Sequence, residues 1–193
     1  MASASKARAR LLQNAGVDFS VEAADVDEAA IKSADQAASL RASELAVRLA
    51  EAKAGKISAD KPNCLVIGAD QILQCDGQLF DKPADRDAAV EHLRRLRGKT
   101  HALINGICVL RNGETLWNYT DEARLTMRSI DDQFVERYLD RVGSAALGSV
   151  GAYQLEGPGA QLFSKVEGDF FSVLGLPLLP LLAFLREQGA VES

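Results

Sequence analysis

Apolar residues recur at helical spacing in five stretches of the chain. Serine and aspartate are favoured helix caps, and glycine commonly ends a helix. Interleaved leucines and alanines predict one particularly long helix, because they place an apolar stripe on a single face. The five helices are predicted from Ser5 to Gly16, over residues 36–56, from Asp85 to Gly98, from Ser129 to Val142, and from Pro177 onward.

Strands are predicted where apolar runs are short or alternate with polar residues. Residues 64–67 form an uninterrupted apolar run ending at Gly68, which is typical of a strand buried on both faces. Asp76-Gly77 and Asn112-Gly113 each predict a two-residue hairpin turn. Further strands are predicted over residues 72–74, 78–80, 102–110, 116–119, 122–128, 150–154, 160–166 and 170–173.

Strands and helices intermix along the chain without a break. This order predicts an α/β fold, with one domain over residues 1–193 in which a twisted mixed sheet is flanked by helices in two lobes. The length of 193 residues, with 47% hydrophobic and 25% charged residues, suits one globular domain.

Charge and hydropathy exclude several classes of protein. The 22 basic and 27 acidic side chains give a net charge of -5, which is the wrong sign for a protein that neutralises many nucleic-acid phosphates. No apolar run reaches the roughly 20 residues of a membrane helix, and the start of the chain lacks the apolar core of a signal peptide. We therefore expect a soluble, cytoplasmic protein with no nucleic-acid or membrane partner. The three cysteines lack paired spacing, so they predict reduced thiols.

Four groups of residues carry candidate chemistry. Hydroxyls and a cation meet at the first helix in Ser3, Ser5 and Arg8, and carboxylates cluster in a loop at residues 25–28. Asp70 directly follows a buried strand, which is where α/β sheets place catalytic groups. The fourth group is residues 80–83, which contain a lysine suited to phosphate. Taken alone, most of these groups are also explained by an ordinary solvated surface. For the acid after the buried strand, a functional site and a surface role are equally good explanations.

The order of these motifs resembles that of the Maf proteins over nearly the whole chain. The resemblance lies in the Ser-x-Ser-x-x-Arg segment that opens the first helix and in seven later segments. These segments are Asp27-Glu28, residues 48–54, Ile67-Gly68-Ala69-Asp70-Gln71, Asp81-Lys82-Pro83, Gly98-Lys99-Thr100-His101, residues 151–157 and residues 173–178.

The resemblance implies an enzyme that hydrolyses a nucleoside triphosphate to a monophosphate and pyrophosphate in a nucleotide cleft between lobes. It implies a divalent metal cofactor (Mg, Mn or Co) bound by Glu28 and Asp70, and a homodimer. Asp70 would be the catalytic acid or base, and Lys53 and Lys82 would hold the triphosphate and stabilise the leaving pyrophosphate. The substrate would also be bound by Ser3, Ser5, Arg8, Gln71 and Glu156.

The pair Gln71 and Glu156 looks like the branch of the family that acts on 7-methyl-GTP. A carboxylate accepts hydrogen bonds from the guanine edge and favours a cationic methylated purine, whereas glutamine offers both a donor and an acceptor. The sequence therefore favours a modified guanosine triphosphate, within a broader role in removing noncanonical nucleotides.

The chain departs from the family pattern in three places, and two of them, Ala7 and the missing first strand, favour an alternative, a nucleotide-binding regulator of cell division with weak or no catalysis. Ala7 stands where an arginine is expected, and Asp81 replaces the usual glycine before Lys82. The chain also begins almost on the Ser-x-Ser turn, so we expect that turn to lack the strand that anchors it in relatives. Retention of the acidic and lysine residues favours the enzyme.

Overall fold

The computed structural model describes residues 1–37 and 40–192, with the side chains of residues 35–37 excepted. The helices are α1 (Lys6–Asn14), α2 (Glu28–Ala37), α3 (Ala42–Ser58), α4 (Arg86–Leu96), α5 (Asp132–Val142), α6 (Phe170–Val173) and α7 (Leu178–Glu187). The strands are β1 (Val66–Cys75), β2 (Gln78–Phe80), β3 (Thr100–Arg111), β4 (Glu114–Met127) and β5 (Phe163–Glu167). Short 3-10 turns span Gly143–Gly148, Val150–Ala152 and Pro158–Leu162.

The five strands form one sheet in the order β2-β1-β3-β4-β5. β1 pairs with β2 and β4 pairs with β5 in antiparallel register, whereas Ala2 forms an isolated parallel bridge with Gly68. The predicted α/β fold with flanking helices is confirmed, whereas the parallel pairing expected of a mixed sheet is limited, in the described part of the chain, to this one bridge. Among the described helices, none is long and apolar enough to cross a bilayer.

Local signals placed several elements correctly. The Ser5 side chain accepts a hydrogen bond from the Arg8 amide and caps α1, and Asp85 caps α4 in the same way. Both predicted hairpin turns have left-handed backbone at their two central residues; φ is 50° at Asp76 and 76° at Gly77. This conformation matches the twist of the flanking strands, so the Asp-Gly and Asn-Gly signals are confirmed.

The predicted start of the long helix over residues 36–56 is wrong. The predicted end of the loop at residues 25–28 is also wrong. α2 begins at Glu28, because Asp27 Oδ1 accepts from the Ala30 amide at 2.9 Å and so satisfies a free donor of the first turn. α3 begins separately at Ala42, and residues 38–39 lie outside the described part of the chain.

Three later assignments are also wrong. The strand predicted over residues 150–154 is replaced by a 3-10 turn over Val150–Ala152, because Gly151 and Ala152 both adopt positive φ. Residues 170–173 are helical, because the Asp169 carboxylate accepts from the Ser172 amide and caps a turn. Asp131 rather than Ser129 caps α5, by accepting from the Phe134 amide at 2.7 Å.

The chain divides into two compact units built from interleaved segments. Unit 1 contains Met1–Gln71, Ile104–Asp121 and Asp169–Ser193, and unit 2 contains Ile72–Leu103 and Glu122–Gly168. In unit 1 the strand residues alternate between two cores. Ile67, Ala69, Ile107 and Val109 pack with residues of α1 and α7, whereas Val66, Cys108 and Leu110 pack with α3. Both faces of β1 are therefore covered here, as the apolar run predicted.

Two glycines let α3 lie directly on the sheet. A Cβ at Gly68 would overlap the Ala50 carbonyl, and a Cβ at Gly106 would overlap the backbone of Ala46 and Val47. The small residues Ala50 and Ala54 are fully buried at this contact. The short distance between backbones brings the side chains that flank the contact within reach of one another.

The start of the chain is tied to the sheet. The Ala2 amide donates to the Ile67 carbonyl at 2.8 Å, and the Glu22 amide donates to the Met1 carbonyl at 3.1 Å. Met1 and Ala2 are both buried. The expectation that the Ser-x-Ser turn lacks an anchor is therefore wrong, because one backbone bridge to β1 holds it.

Candidate active site

An ion cluster centred on Lys53 lies at Asp70 in the middle of β1, which continues past the strand end predicted at Gly68. Lys53 Nζ is 2.6 Å from Asp70 Oδ1 and 2.7 Å from Glu28 Oε1. The side chains of Lys53 and Asp70 are only 13% and 12% exposed, whereas that of Glu28 is 41% exposed. The three groups carry a summed charge of −1 in a partly desolvated place, where electrostatic interactions are stronger than in water.

The contact between α3 and the sheet explains this cluster. Asp70 lies two residues beyond Gly68, so both face the same side of β1. Lys53 lies between Ala50 and Ala54 in sequence, next to the close approach to that face. A larger residue at position 68 would push the helix away, and the lysine would lose its contact with the carboxylate.

Arg8 forms a buried clamp at the start of the chain. Arg8 Nε donates to the Gly175 carbonyl at 2.6 Å, and Nη1 donates to the Ala69 carbonyl at 3.0 Å and to Ser3 Oγ at 3.3 Å. Burial lowers the pKa of Arg8, and the charges of Asp70 and Glu28 partly oppose this shift. An arginine in this setting stays protonated. Among the described residues, three of its five N–H donors bind the protein, which leaves the two of Nη2 for a ligand.

The predicted serines lie with this clamp. Ser3 is buried, and Ser3 Oγ accepts from the Ser5 amide at 3.3 Å as well as from Arg8. Ser5 Oγ accepts from the Arg8 amide at 3.4 Å. The structure therefore brings Ser3, Ser5 and Arg8 together in one turn, as the sequence predicted, although Arg8 also ties three segments of unit 1 to each other.

Gln71 lies on the opposite face of β1 from Asp70, beside Arg8. A Cβ at Gly175 would lie 3.4 Å from Arg8 Nε and 3.7 Å from Gln71 Cδ, so a glycine with φ of 93° occupies the space between the two side chains. The Gln71 amide group donates to Asn105 and to backbone carbonyls of α6. It is held by the protein before any ligand binds.

The other two predicted site residues belong to unit 2. Lys82 and Glu156 are both exposed there. Asp81, which precedes Lys82, is also exposed. The roles that the family resemblance implies for Lys82 and Glu156 stay predictions.

The donor set of the Lys53 cluster fits a small divalent cation. Carboxylate oxygens from Glu28 and Asp70 are hard ligands of the kind that Mg²⁺ and Mn²⁺ prefer. Within the described residues, no group of three or more histidines, cysteines, aspartates or glutamates forms a complete metal cage. This agrees with a cation that shares its coordination with substrate phosphates, as Mg²⁺ commonly does.

The sequence interpretation missed two residues near Gln71. Asn105 is fully buried, and Ser172 is also fully buried with its hydroxyl against the Asp121 carboxylate. A signal for Asn105 was present, because a lone amide interrupts the apolar run of residues 103–110. A buried polar side chain needs a partner, and so marks a specific contact. Ser172 gave no such signal, since it was placed in a strand.

Comparison with known proteins gives consistent matches over the full chain. The family model described as "Maf-like protein" matches residues 1–188. A protein of Paramagnetospirillum magneticum named nucleoside triphosphate pyrophosphatase is 52% identical over 98% of this chain and 97% of its own length. A protein of Brucella abortus named 7-methyl-GTP pyrophosphatase is 46% identical over 100% of this chain and 97% of its own. A Nitrobacter hamburgensis protein named nucleoside triphosphate pyrophosphatase is 52% identical over 100% of this chain and 94% of its own. With the family model and these relatives covering it almost end to end, the chain belongs to the Maf-like protein family.

Proposed function

We propose that this protein is a hydrolase that cleaves a nucleoside triphosphate to the monophosphate and pyrophosphate. The observation that carries the proposal is the Lys53 cluster, in which two carboxylates and a lysine meet beside a buried arginine. Phosphoryl chemistry needs this combination, because carboxylates hold a cation or orient water and cations neutralise phosphate oxygens. Relatives at about half identity that carry pyrophosphatase names support the same activity.

The residues of unit 1 divide the work. Asp70 accepts the proton of the attacking water, which is directed at the α-phosphorus. Lys53 and the Nη2 donors of Arg8 neutralise charge on the phosphate oxygens, and Ser3 and Ser5 fix the turn that carries Arg8. The role of Lys82, which belongs to unit 2, is the one that the family resemblance implies, namely binding the leaving pyrophosphate. Most of the rate enhancement in such a site comes from positioning and fixed charge.

A divalent cation held by Glu28 and Asp70 would supply Lewis-acid stabilisation of the phosphate oxygens. Lys53 bridges these two carboxylates at 2.6 and 2.7 Å. An ammonium group in this place offsets the repulsion between the two carboxylates and so keeps them close together.

The base that fits this chain is a modified guanine, and 7-methyl-GTP is the specific candidate. Gln71 and Glu156 are the residues assigned to the base, and an exposed carboxylate at Glu156 would attract the positive charge of a methylated purine. Relatives with either pyrophosphatase name have comparable sequence identity to this chain, so the identity does not select between the two substrates. The support for 7-methyl-GTP comes from Gln71 and Glu156.

Product analysis in ¹⁸O-labelled water tests the proposal. Pyrophosphate release is measured with 7-methyl-GTP, GTP, dTTP, UTP and CTP in the presence of magnesium, manganese or cobalt. We expect pyrophosphate as the inorganic product, the label in the monophosphate, and 7-methyl-GTP as the preferred substrate. In Glu156→Gln that preference should fall. Release of orthophosphate, or label in pyrophosphate, would contradict attack at the α-phosphorus.

The alternative role, a nucleotide-binding regulator of cell division, corresponds to a different result of the same assay. It predicts nucleotide binding without metal-dependent turnover. A homodimer and a cytoplasmic location stay predictions, which sedimentation and cell fractionation would check.

A further inference from the structure

A buried polar network holds the Gln71 side chain. Gln71 Nε2 lies 3.0 Å from the Ser172 carbonyl, 3.3 Å from the Val173 carbonyl and 3.3 Å from Asn105 Oδ1. Asn105 Nδ2 donates to the same Ser172 carbonyl at 2.9 Å. All four residues belong to unit 1. The acceptors around Nε2 come from β3 and from α6, so distant segments of the chain define the position of one amide.

The backbone carbonyls decide which way both amides face. A carbonyl oxygen only accepts hydrogen bonds, so the group of Asn105 that faces Ser172 must be its NH₂. That places Asn105 Oδ1 toward Gln71, and the group of Gln71 that faces three oxygens must also be its NH₂. Each neutral hydrogen bond corresponds to roughly a fivefold preference, and the two N–H groups of Gln71 form at most two full bonds, so the reversed orientation is disfavoured by roughly 25-fold.

The α6 turn that supplies these carbonyls is fixed as well. Asp169 Oδ2 accepts from the Ser172 amide at 2.8 Å and lies 3.1 Å from Ser172 Oγ. The Asp121 carboxylate of β4 also accepts from Ser172 Oγ. Ser172 and Asn105 are fully buried, so the network is shielded from water that would compete for its hydrogen bonds.

We propose that Asn105 is a positioning residue for base selection, which holds Gln71 with Oε1 presented to the ligand, so that the site reads a base through one of its N–H donors. This inference rests on the proposed function, in which Gln71 faces the base. No hydrogen bond to Gln71 Oε1 occurs among the described residues, and this atom is not among their buried unpartnered atoms. Oε1 is therefore the part of the amide that is open to a ligand.

The orientation of the Gln71 amide limits which bases the site can bind. Glutamine in isolation offers a donor and an acceptor, but here the donor half is bound by the protein. Guanine presents N1–H and the 2-amino group as donors, and a positive charge on a methylated ring strengthens such donors toward a carbonyl oxygen. A base edge that offers only acceptors at this place would face Oε1 and be rejected, since an unpaired buried polar group is costly.

Three nucleotides that differ in base donors test this inference. GTP is compared with ITP, which lacks the 2-amino group, and with N1-methyl-GTP, which lacks the ring N–H. The proteins are the wild type, Asn105→Leu, Gln71→Met and the double variant. Ser58→Ala is the matched control, because Ser58 is also buried in unit 1 and its hydroxyl accepts from the Gly113 amide at 3.0 Å. Both kcat/KM and the dissociation constant are measured for each nucleotide.

We expect the wild type to favour GTP over at least one analogue by roughly fivefold or more. Asn105→Leu and Gln71→Met should each bring this ratio to within about twofold of unity, and the double variant should add nothing, because Asn105 acts through Gln71. Ser58→Ala should keep the wild-type ratio. If Asn105→Leu does not fold, Asn105→Ser, which is smaller, is measured in its place.

A wild type that treats the three nucleotides equally, or an Asn105 variant that keeps the wild-type ratio, would overturn the inference. So would additive effects in the double variant. Absence of pyrophosphate release from every nucleotide would refute the proposed function alone, because the base ratio is then read from dissociation constants. The two proposals therefore fail on different measurements.

Discussion

The Arg8 clamp predicts that Arg8 stabilises the folded protein, in addition to its proposed role in binding the ligand. Arg8→Met keeps an unbranched side chain at this position. The Gly175 and Ala69 carbonyls and Ser3 Oγ, however, lose their hydrogen-bond donor. A buried acceptor left without a partner costs about 1–3 kcal/mol. Removing the guanidinium also ends the cost of burying its charge, the same burial that lowers the pKa of Arg8. The balance predicts a loss of about 3 kcal/mol in the free energy of unfolding.

Arg10→Met provides the control for this prediction. Arg10 lies on the same helix two residues on, and it is exposed. Surface substitutions of this kind change the free energy of unfolding by about 0.5 kcal/mol or less. Urea unfolding followed by circular dichroism measures both variants against the wild type. Equal midpoints for Arg8→Met and Arg10→Met would refute the reasoning, because the buried hydrogen bonds would then contribute nothing beyond the loss of a charge.

Three further predictions concern packing, protonation and catalysis. Gly106→Ala should destabilise the protein by about 3 kcal/mol, because the new Cβ would overlap the α3 backbone. Gly55→Ala should instead stabilise α3 by roughly 0.5–1 kcal/mol, because there is open space at its Cβ. Thermal unfolding of the two variants distinguishes these outcomes. Burial lowers the pKa of His101 to about 4, below its usual 6.5, so the folded state binds fewer protons. Stability from this group, about 3 kcal/mol, is complete above pH 6.5 and is lost as the pH falls toward 4; in His101→Gln, unfolding midpoints should vary less across this window. In Lys53→Met, kcat for pyrophosphate release should fall about a hundredfold, because two carboxylates lose the ammonium between them; a change of less than threefold would contradict its role.

Parts of the fold that depend on neighbouring residues were predictable from the sequence. Ser5, Asp85 and both hairpin turns act within four residues, so local chemistry decides them. The apolar run of residues 64–67 marked part of a buried strand next to Asp70, but the prediction that this acid follows the strand was wrong, because β1 continues through Asp70 to Cys75. Where one local signal competed with another, the prediction failed. Asp27 begins a helix inside what looked like an acidic loop.

Long-range contacts were beyond the sequence patterns. Gln71 is held by residues 34, 101 and 102 positions away, and no spacing rule relates it to α6. The direction of its amide, with the NH₂ group turned toward the protein, depends on those carbonyls. Gly175 likewise gave no sign that it separates Arg8 from Gln71, because its positive φ and its neighbours appear only in the folded chain.

The most direct test of the catalytic centre is metal-dependent pyrophosphate release by Asp70→Asn beside Asp60→Asn. Asp60 is an exposed acid at the end of α3, so its amide variant controls for the loss of one negative charge. We expect Asp70→Asn to lose at least about a thousandfold in kcat while nucleotide affinity stays within about tenfold, and Asp60→Asn to match the wild type. Full turnover in Asp70→Asn, or equal loss of affinity and turnover, would contradict Asp70 as the group that accepts the proton of the attacking water.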